Sequence, residues 1–215
     1  KDNREILQTL LPEAIITAYD EFNKEEVLKL LKWADGVCIG SGIGRSTTSE
    51  KLLRTVIECV DVPCLIDADG LNLLAKKRLY STLGRQYVLT PHLREMSRLS
   101  GRSVQEIADD MTSAVMGQQA GATIVLKDAR TLVSDGDWLY INLSGNSALS
   151  TGGSGDVLSG MIGGLLAQGC TQRTAATLAV YMHGLTAEQY CESAPPHCML
   201  ARDILEMIPK IGGNS

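Results

Sequence analysis

The sequence contains few histidines and no closely spaced pair of cysteines. Its three histidines, at positions 92, 183 and 197, do not lie at metal-ligand spacing from one another or from a suitable cysteine. Its six cysteines include no C-x-x-C pair. A zinc site and a dithiol redox motif are therefore not indicated, and we expect the cysteines to be reduced residues that pack in apolar surroundings.

Long apolar segments and an excess of positive charge are also absent. Glycine, lysine or aspartate interrupts each apolar run well before the ~18 residues that a membrane span needs, and no charged-then-apolar signal segment is visible at the start. The net charge of −5 and the pI near 5.2 argue against general binding of nucleic acid or anionic membranes, while a local basic site for phosphate is compatible with them. We expect a cytoplasmic protein whose partners are small molecules.

The remaining features are those of one α/β domain. At 215 residues and 44% hydrophobic content the chain can bury one core, and it shows no repeat, linker or low-complexity tract. Short apolar strands alternate with helices, which predicts parallel βαβ crossovers in a doubly wound sheet. The predicted strands are residues 37–39, 63–67, 87–90 and 123–126, with a hairpin over residues 131–141 around an Asp-Gly turn; the predicted helices are residues 23–34, 47–60, 103–121, 156–168, 172–191 and 199–207, with a short helix ending near residue 75 and capping boxes at residues 47–50 and 103–106.

Apolar periodicity predicts which sides of the helices face the core. The first apolar stripe follows residues 1–3 directly and without an initiator methionine, so we expect further chain upstream. The residues predicted to face the core are Val27, Leu28, Leu31 and Trp33 of the helix at 23–34, and Leu178, Tyr181 and Met182 of the helix at 172–191.

Residues 147–158, SALSTGGSGDVL, have the composition of a glycine-rich loop that leads into a helix. Backbone N–H groups in such a loop can approach an anion closely, and the positive end of the helix dipole adds its attraction. Asp156 would repel the same anion, so it is better explained as a general base that takes a proton from an attacking hydroxyl during phosphoryl transfer. The alternative is that residues 154–156 only cap the helix. The predicted anion hole consists of the backbone N–H groups of Gly152, Gly153, Ser154 and Gly155.

Three better-known glycine motifs do not fit the sequence. A Walker loop requires lysine and then serine or threonine after its last glycine, whereas Gly155 is followed by Asp156. A serine-hydrolase elbow requires glycine at the position that Asp156 occupies. The GSGIG segment at residues 40–44 resembles a dinucleotide-binding fingerprint, but Arg45 stands where the third glycine would be.

Polar clusters follow the other predicted strands as well, at residues 40–44, 67–72, 91–95 and 127–131. Because ligands of such folds bind beyond the carboxyl ends of the strands, we expect these clusters to share one edge of the sheet with the glycine-rich loop. Two choices stay open. Asp67 and Asp69 either act in the site or cap the following helix, and His92, three residues before Glu95, is either a site residue or a structural one.

Residues 142–158, NLSGNSALSTGGSGDVL, resemble the signature of the ADP- or ATP-dependent NAD(P)H-hydrate dehydratases, which have a ribokinase-like fold of three α/β/α layers. The resemblance extends to GSGIG at 40–44, DADGLNLLA at 67–75, LTPHLREMSRLSG at 89–101 and the segment at 127–131, so it covers most of the chain. The GGSGD core by itself would indicate only the wider superfamily of small-molecule kinases.

The resemblance implies repair of damaged nicotinamide cofactors. ADP or ATP, with Mg²⁺, would phosphorylate the ring hydroxyl of hydrated NADH or NADPH, and phosphate would then leave as the double bond returns. Asp156 would be the base. No side chain is expected to be a direct metal ligand, although Glu95 would lie near the magnesium ion. The family pattern assigns the adenine nucleotide to Lys127, Asp128, Ala129, Arg130, Thr131 and Gly155, and the hydrated dinucleotide to Gly42, Gly44, His92 and Asp156.

The resemblance also carries expectations about assembly and extent. Family members often form homo-oligomers, commonly tetramers, many are fused to an epimerase domain, and they commonly have an additional N-terminal strand and helix, after which this chain begins. Asp128 stands where glycine is frequent, and Leu93-Arg94 where Pro-Gly is frequent. Two alternatives stay open: a ribokinase-like kinase that phosphorylates a vitamin precursor or a sugar, and a nucleotide-binding module without turnover.

Overall fold

A six-stranded sheet forms the centre of the protein in the computed structural model, which describes residues 4–19, 21–117 and 121–211. The strands lie side by side in chain order, β1 to β4 parallel and β4 to β6 antiparallel. Their bounds are β1 Val37–Ile39, β2 Cys64–Ile66, β3 Tyr87–Leu89, β4 Thr123–Leu126, β5 Leu132–Ser134 and β6 Leu139–Ile141. The predicted parallel strands and the hairpin are confirmed, each within two residues at its ends.

Helices cover both faces of this sheet. The α-helices in the part of the chain that the structure describes are α1 Arg4–Leu10, α2 Lys24–Trp33, α3 Thr47–Cys59, α4 Ala68–Lys77, α5 Leu93–Ser100, α6 Val104–Asp109, α7 Met111–Met116, α8 Ser154–Ala167, α9 Gln172–Cys191 and α10 Ala201–Met207. None of them is both long and apolar enough to cross a membrane.

The order of the strands determines which helices share a face. Successive right-handed crossovers between strands that follow one another across a sheet place their helices on the same side. The helices between β1 and β4 therefore pack on one face, against Ile39, Ile66, Leu89 and Ile124. In the described part of the chain, the opposite face is covered by helices that follow β6, namely α8 and α9, which pack against Leu65, Val88, Val125 and Val133. The predicted three-layer α/β/α fold is confirmed.

Helix α2 matches its predicted extent, but its core face was predicted too wide. Asn23 caps it by accepting hydrogen bonds from the N–H groups of Glu25 and Glu26. Leu31 is buried, and Val27 and Leu28 are half-buried. Trp33 is 74% exposed, so its prediction as a core residue is wrong. It lies two positions after Leu31, about 200° around the helix, and cannot share the stripe.

The core face predicted for α9 is also wrong. Leu178 and Tyr181 are exposed and Met182 is half-buried, whereas the buried positions carry small side chains such as Ala175, Ala176, Ala179 and Ala187. Helix α9 packs against α8, whose own sequence is rich in glycine. Small residues let two helix backbones approach closely. A prediction based only on large hydrophobic side chains therefore selected the wrong face of α9.

Local capping chemistry accounts for two smaller differences, and strand pairing accounts for a third. The cap of α3 is Ser46, which accepts from the N–H of Ser49, one residue earlier than the predicted capping box. The capping box of Ser103 and Glu106 is confirmed, but the helix breaks at Asp110, whose side chain caps α7. The end of that predicted helix, residues 118–120, lies outside the described residues. The hairpin loop has four residues rather than two, because Ser134 pairs with Leu139.

Candidate active site

Helix α8 begins at Ser154, two residues earlier than predicted, so Asp156 lies in its first turn. The residue before the helix is Gly153, with a left-handed φ of +89° and no side chain to cap the helix. The left-handed conformation favours glycine. The glycine-rich loop therefore turns sharply and directs the N-terminus of α8 at the carboxyl edge of the sheet.

The backbone N–H groups of this loop divide into two sets. Ser154 donates its N–H to the carbonyl oxygen of Thr151 at 3.3 Å and its hydroxyl to the carbonyl oxygen of Leu149 at 2.7 Å. The N–H groups of Gly152, Gly153 and Gly155 donate to no acceptor among the described residues. Ser154 thus shapes the loop, and the three glycines are the donors available to an anion.

A buried histidine supports the same turn from α9. His183 Nε2 lies 3.1 Å from the carbonyl oxygen of Ser154, and the side chain is only 7% exposed. Burial lowers the pKa of His183 to about 4, so the ring is neutral at pH 7 and donates to that carbonyl. From the sequence, His183 was weighed only as a metal ligand. The one signal of its structural role was an imidazole in a helix whose other buried positions mostly carry small side chains.

Replacing His183 with glutamine is expected to make the free energy of unfolding fall less steeply as the pH is lowered below 6.5. The pKa of His183 in the folded state lies below the unfolded value of 6.5. The contribution of the neutral ring to the free energy of unfolding is therefore complete above about pH 6.5 and is lost as the pH falls towards 4. Between pH 7 and about pH 4.5, the wild-type protein should lose about 2 to 3 kcal/mol more free energy of unfolding than the variant does. Urea unfolding of both proteins at each pH measures this difference, and equal losses would contradict it.

Two cavities open at the carboxyl edge of the sheet, one on each side of the first turn of α8. The larger, about 870 Å³, is mainly apolar and lies between α2, the edge strand β1 and the loop at residues 40–43. The smaller, about 620 Å³, is more polar and lies between residues 127–131 and 142–150. Asp156 lines the larger cavity and Gly155 lines the smaller one. Two consecutive residues of the first turn of α8 therefore line different cavities.

A buried ion pair lies where the two cavities meet. Asp67, which is 3% exposed, accepts hydrogen bonds from the Lys127 ammonium at 3.1 Å, from the Ser159 hydroxyl at 2.7 Å and from the N–H of Ala68 at 2.7 Å. Asp67 therefore caps α4, which is one of the two possibilities left open for it, and it also contacts Lys127. Lys127 Nζ in turn lies 3.4 Å from the point where a Cβ atom on Gly155 would stand.

The sequence similarity to a known family agrees with this geometry. The family model for NAD(P)H-hydrate dehydratase matches residues 1–210. The chain belongs to the NAD(P)H-hydrate dehydratase family. An ADP-dependent (S)-NAD(P)H-hydrate dehydratase of Neisseria meningitidis serogroup B is 39% identical over 196 residues, which are 87% of this chain and 66% of that protein. The chain spans 40% of the length of two bifunctional NAD(P)H-hydrate repair enzymes that it matches at 35% identity.

Solved structures show the fold of this dehydratase family. A ribokinase-like superfamily protein from Enterococcus faecalis superposes with a TM-score of 0.86 at 27% identity, over 97% of this chain and 72% of that one. The ADP/ATP-dependent NAD(P)H-hydrate dehydratase of Bacillus subtilis, co-crystallised with ATP and Mg²⁺, gives a TM-score of 0.78 at 27% identity, over 96% of this chain and 74% of that one. The predicted ribokinase-like fold is confirmed.

The residues that the dehydratase resemblance assigned to a nucleotide fall together in the structure. All of them line the smaller cavity, namely Lys127, Asp128, Ala129, Arg130, Thr131 and Gly155. Arg130 also donates to the carbonyl oxygen of Leu143 at 3.0 Å, which joins two walls of this cavity. A cavity with a lysine, an arginine and a helix N-terminus can bind the phosphates of a nucleotide.

The residues assigned to the hydrated dinucleotide are more dispersed. Gly42 lines the larger cavity with Asp156. Gly44 is not in the lining and donates its N–H to Asp69 at 3.1 Å. His92 lines neither cavity; its Nδ1 accepts from the N–H groups of Arg94 and Glu95, and Glu95 accepts from the N–H of His92 at 3.0 Å, which caps α5. The roles predicted for Gly44 and His92 in substrate binding stay predictions.

Proposed function

We propose that this protein dehydrates the S epimer of hydrated NADH or NADPH with ADP or ATP as phosphoryl donor. The observation that carries the proposal is that Asp156 and Gly155 are adjacent but line different cavities, and that the N–H of Gly155 has no acceptor among the described residues. A hydroxyl substrate in one cavity and a nucleotide in the other would meet between them. The activities for which the Neisseria and Bacillus relatives are named support the choice of substrate and donor.

The proposed reaction assigns a role to each cavity. The mainly apolar larger cavity would hold the hydrated nicotinamide ring, with its hydroxyl directed at Asp156. Asp156 would take the hydroxyl proton while the oxygen bonds to the terminal phosphorus of the nucleotide and the bond to the leaving phosphate breaks. The glycine N–H groups and Lys127 would stabilise charge on the transferred group. Loss of the new phosphate from the ring, with a ring proton, restores NAD(P)H.

Magnesium is proposed to be held mainly by the nucleotide. No group of three or more histidine, cysteine, aspartate or glutamate side chains that could hold a metal occurs in the described part of the chain. Both carboxylate oxygens of Asp67 already accept hydrogen bonds, from Lys127, Ser159 and the N–H of Ala68. Mg²⁺ commonly keeps several waters and binds substrate phosphates through few protein ligands, which suits this arrangement. When bound, Mg²⁺ would neutralise negative charge on the phosphates of the nucleotide.

The assembly and location are further proposals. Large apolar side chains are exposed on α1 and α2 and between them, including Ile6, Leu10, Ile15 and Trp33. Such a surface supports association, and we propose a homo-oligomer, by family resemblance a tetramer, in the cytoplasm. An upstream strand and helix could pack beside β1, whose outer edge is unpaired in the described sheet. Light scattering of the purified full chain measures the oligomeric state.

A coupled absorbance assay tests the proposed function. The protein is mixed with Mg²⁺, either ADP or ATP, and freshly hydrated NADH or NADPH. We expect absorbance at ~340 nm to rise as the reduced nicotinamide is restored, only when a nucleotide is present, with one phosphate released per molecule restored. A stable phosphorylated product from a vitamin precursor or sugar, with no rise in absorbance, would favour the kinase alternative.

A further inference from the structure

We propose that Asp67 is a positioning residue for phosphoryl transfer, which holds the Lys127 ammonium at the junction of the larger and the smaller cavity. The proposal rests on the function proposed above and adds a residue to its machinery. Asp67 contacts no substrate in this scheme. It would act through Lys127, whose charge must be in place when the phosphoryl group crosses from one cavity to the other.

Three elements converge on the Asp67 carboxylate. Asp67 follows β2 and is fixed by its N–H bond to the carbonyl oxygen of Ile39 on β1 at 3.0 Å. Lys127 follows β4 and is fixed by its own N–H bond to Pro91 at 2.8 Å. Ser159 lies on α8 four residues after Gly155, so the two share one face of the helix. The carboxylate thus connects the lysine to the helix face that presents Gly155.

Electrostatics explain why an acid is required at this point. The N-terminus of α8 carries partial positive charge, and the Lys127 ammonium lies directly over its first turn. Without Asp67, the ammonium loses the one ion-pair partner that it has among the described residues, and the lysine would move towards solvent. The Lys127 side chain is only 21% exposed, while the Asp67 side chain is 4% exposed. In the nucleotide-free protein the buried carboxylate therefore keeps the ammonium where a phosphate will later bind.

The backbone at this carboxylate adopts an unfavourable conformation. Ala68, directly after Asp67, has a left-handed φ of +49°. This conformation costs an L-residue with a Cβ atom about 1 kcal/mol. This cost falls on the residue directly after Asp67, between β2 and α4. Such a conformation persists only where the surrounding structure holds the backbone in place, and this agrees with a fixed position for the Asp67 carboxylate.

Chemical labelling of lysine tests whether Asp67 holds Lys127, and it requires no substrate. Asp67→Asn keeps the size and capping ability of the side chain but removes its charge. We expect Lys127 to be acetylated by acetic anhydride about fivefold faster or more in this variant, as measured by mass spectrometry. Glu50→Gln, which removes the carboxylate partner of Lys76 and Lys77 at a distant surface, is the matched control and should leave Lys127 unchanged.

Kinetics test the consequence for the reaction. Asp67→Asn is expected to lower kcat about tenfold or more while the Kd for nucleotide changes less than about threefold, because the lysine is no longer fixed where the phosphoryl group passes. The double variant Asp67→Asn/Lys127→Met should be no slower than Lys127→Met by itself, since both changes remove the same interaction. If Asp67 had a purely structural role, Asp67→Asn would instead weaken nucleotide binding, and the losses of kcat in the two single variants would multiply in the double variant.

The possible outcomes separate this proposal from the proposed function. Unchanged acetylation of Lys127 in Asp67→Asn overturns the proposal whatever the substrate, and so do multiplicative losses in the double variant. If the wild-type protein restores no NAD(P)H, the proposed function fails, and the labelling result still decides whether Asp67 holds Lys127. Should Asp67→Asn not fold, Ser159→Ala loosens the same carboxylate and should raise Lys127 acetylation by a smaller factor.

Discussion

Replacing Asp156 with asparagine is expected to lower kcat about 100-fold or more and to change the affinity for nucleotide by less than about threefold. The amide cannot take a proton from the substrate hydroxyl. The nucleotide site should persist, because the N–H groups of the loop and the residues of the smaller cavity do not depend on the Asp156 side chain. The absorbance assay measures kcat, and calorimetric titration with ADP or ATP measures affinity.

A second acid-to-amide change controls for loss of charge alone. Asp137→Asn alters an 83% exposed side chain in the hairpin loop, which contacts Arg85 only at 3.8 Å. Its kcat should equal that of the wild-type protein. Asp156 is exposed in the described structure, so its substitution should not disturb packing, and thermal unfolding checks this. A kcat within tenfold of wild type in Asp156→Asn would remove Asp156 from the role of base.

Replacing Gly40 with alanine is expected to reduce the free energy of unfolding by about 3 kcal/mol or more. Gly40 has a φ of +132°, and a Cβ atom there would overlap the main-chain carbonyl oxygen of Asp67. Backbone cannot move aside as a flexible side chain does. The substitution would therefore separate β1 from the end of β2 and displace Asp67 from Lys127. Urea unfolding measures the stability, and Lys127 acetylation should rise with it.

Gly42→Ala is the matched control for that change. Gly42 also has a left-handed φ, +68°, but a Cβ atom there would meet no atom within 4 Å. Only the conformational cost of about 1 kcal/mol should appear. If both variants lose the same stability, the close approach of Gly40 to Asp67 is not what requires glycine at that position.

The sequence predicted the strands well because each is a short buried apolar run bounded by glycine, proline or polar residues. It predicted helix starts well where a side chain caps the helix, as at Asn23 and Ser103. It placed the start of α8 too late because Gly153 caps that helix through backbone conformation and leaves no side-chain signal. It chose the wrong face of α9 because size and hydropathy do not reveal a close approach between two helices.

The sequence by itself determined the parallel strands of the sheet, the glycine-rich loop and the position of Asp156 at the end of that loop, because these follow from local patterns and from the rule that parallel strands end at one edge. The family resemblance added the ribokinase-like three-layer fold. Only the tertiary structure decided that Gly155 and Asp156 face different cavities and that His183 supports the loop from α9. It alone joined Asp67 to Lys127, which lie 60 residues apart in the chain. Such contacts depend on strand order and helix packing, which bring distant residues together in ways that no local pattern records.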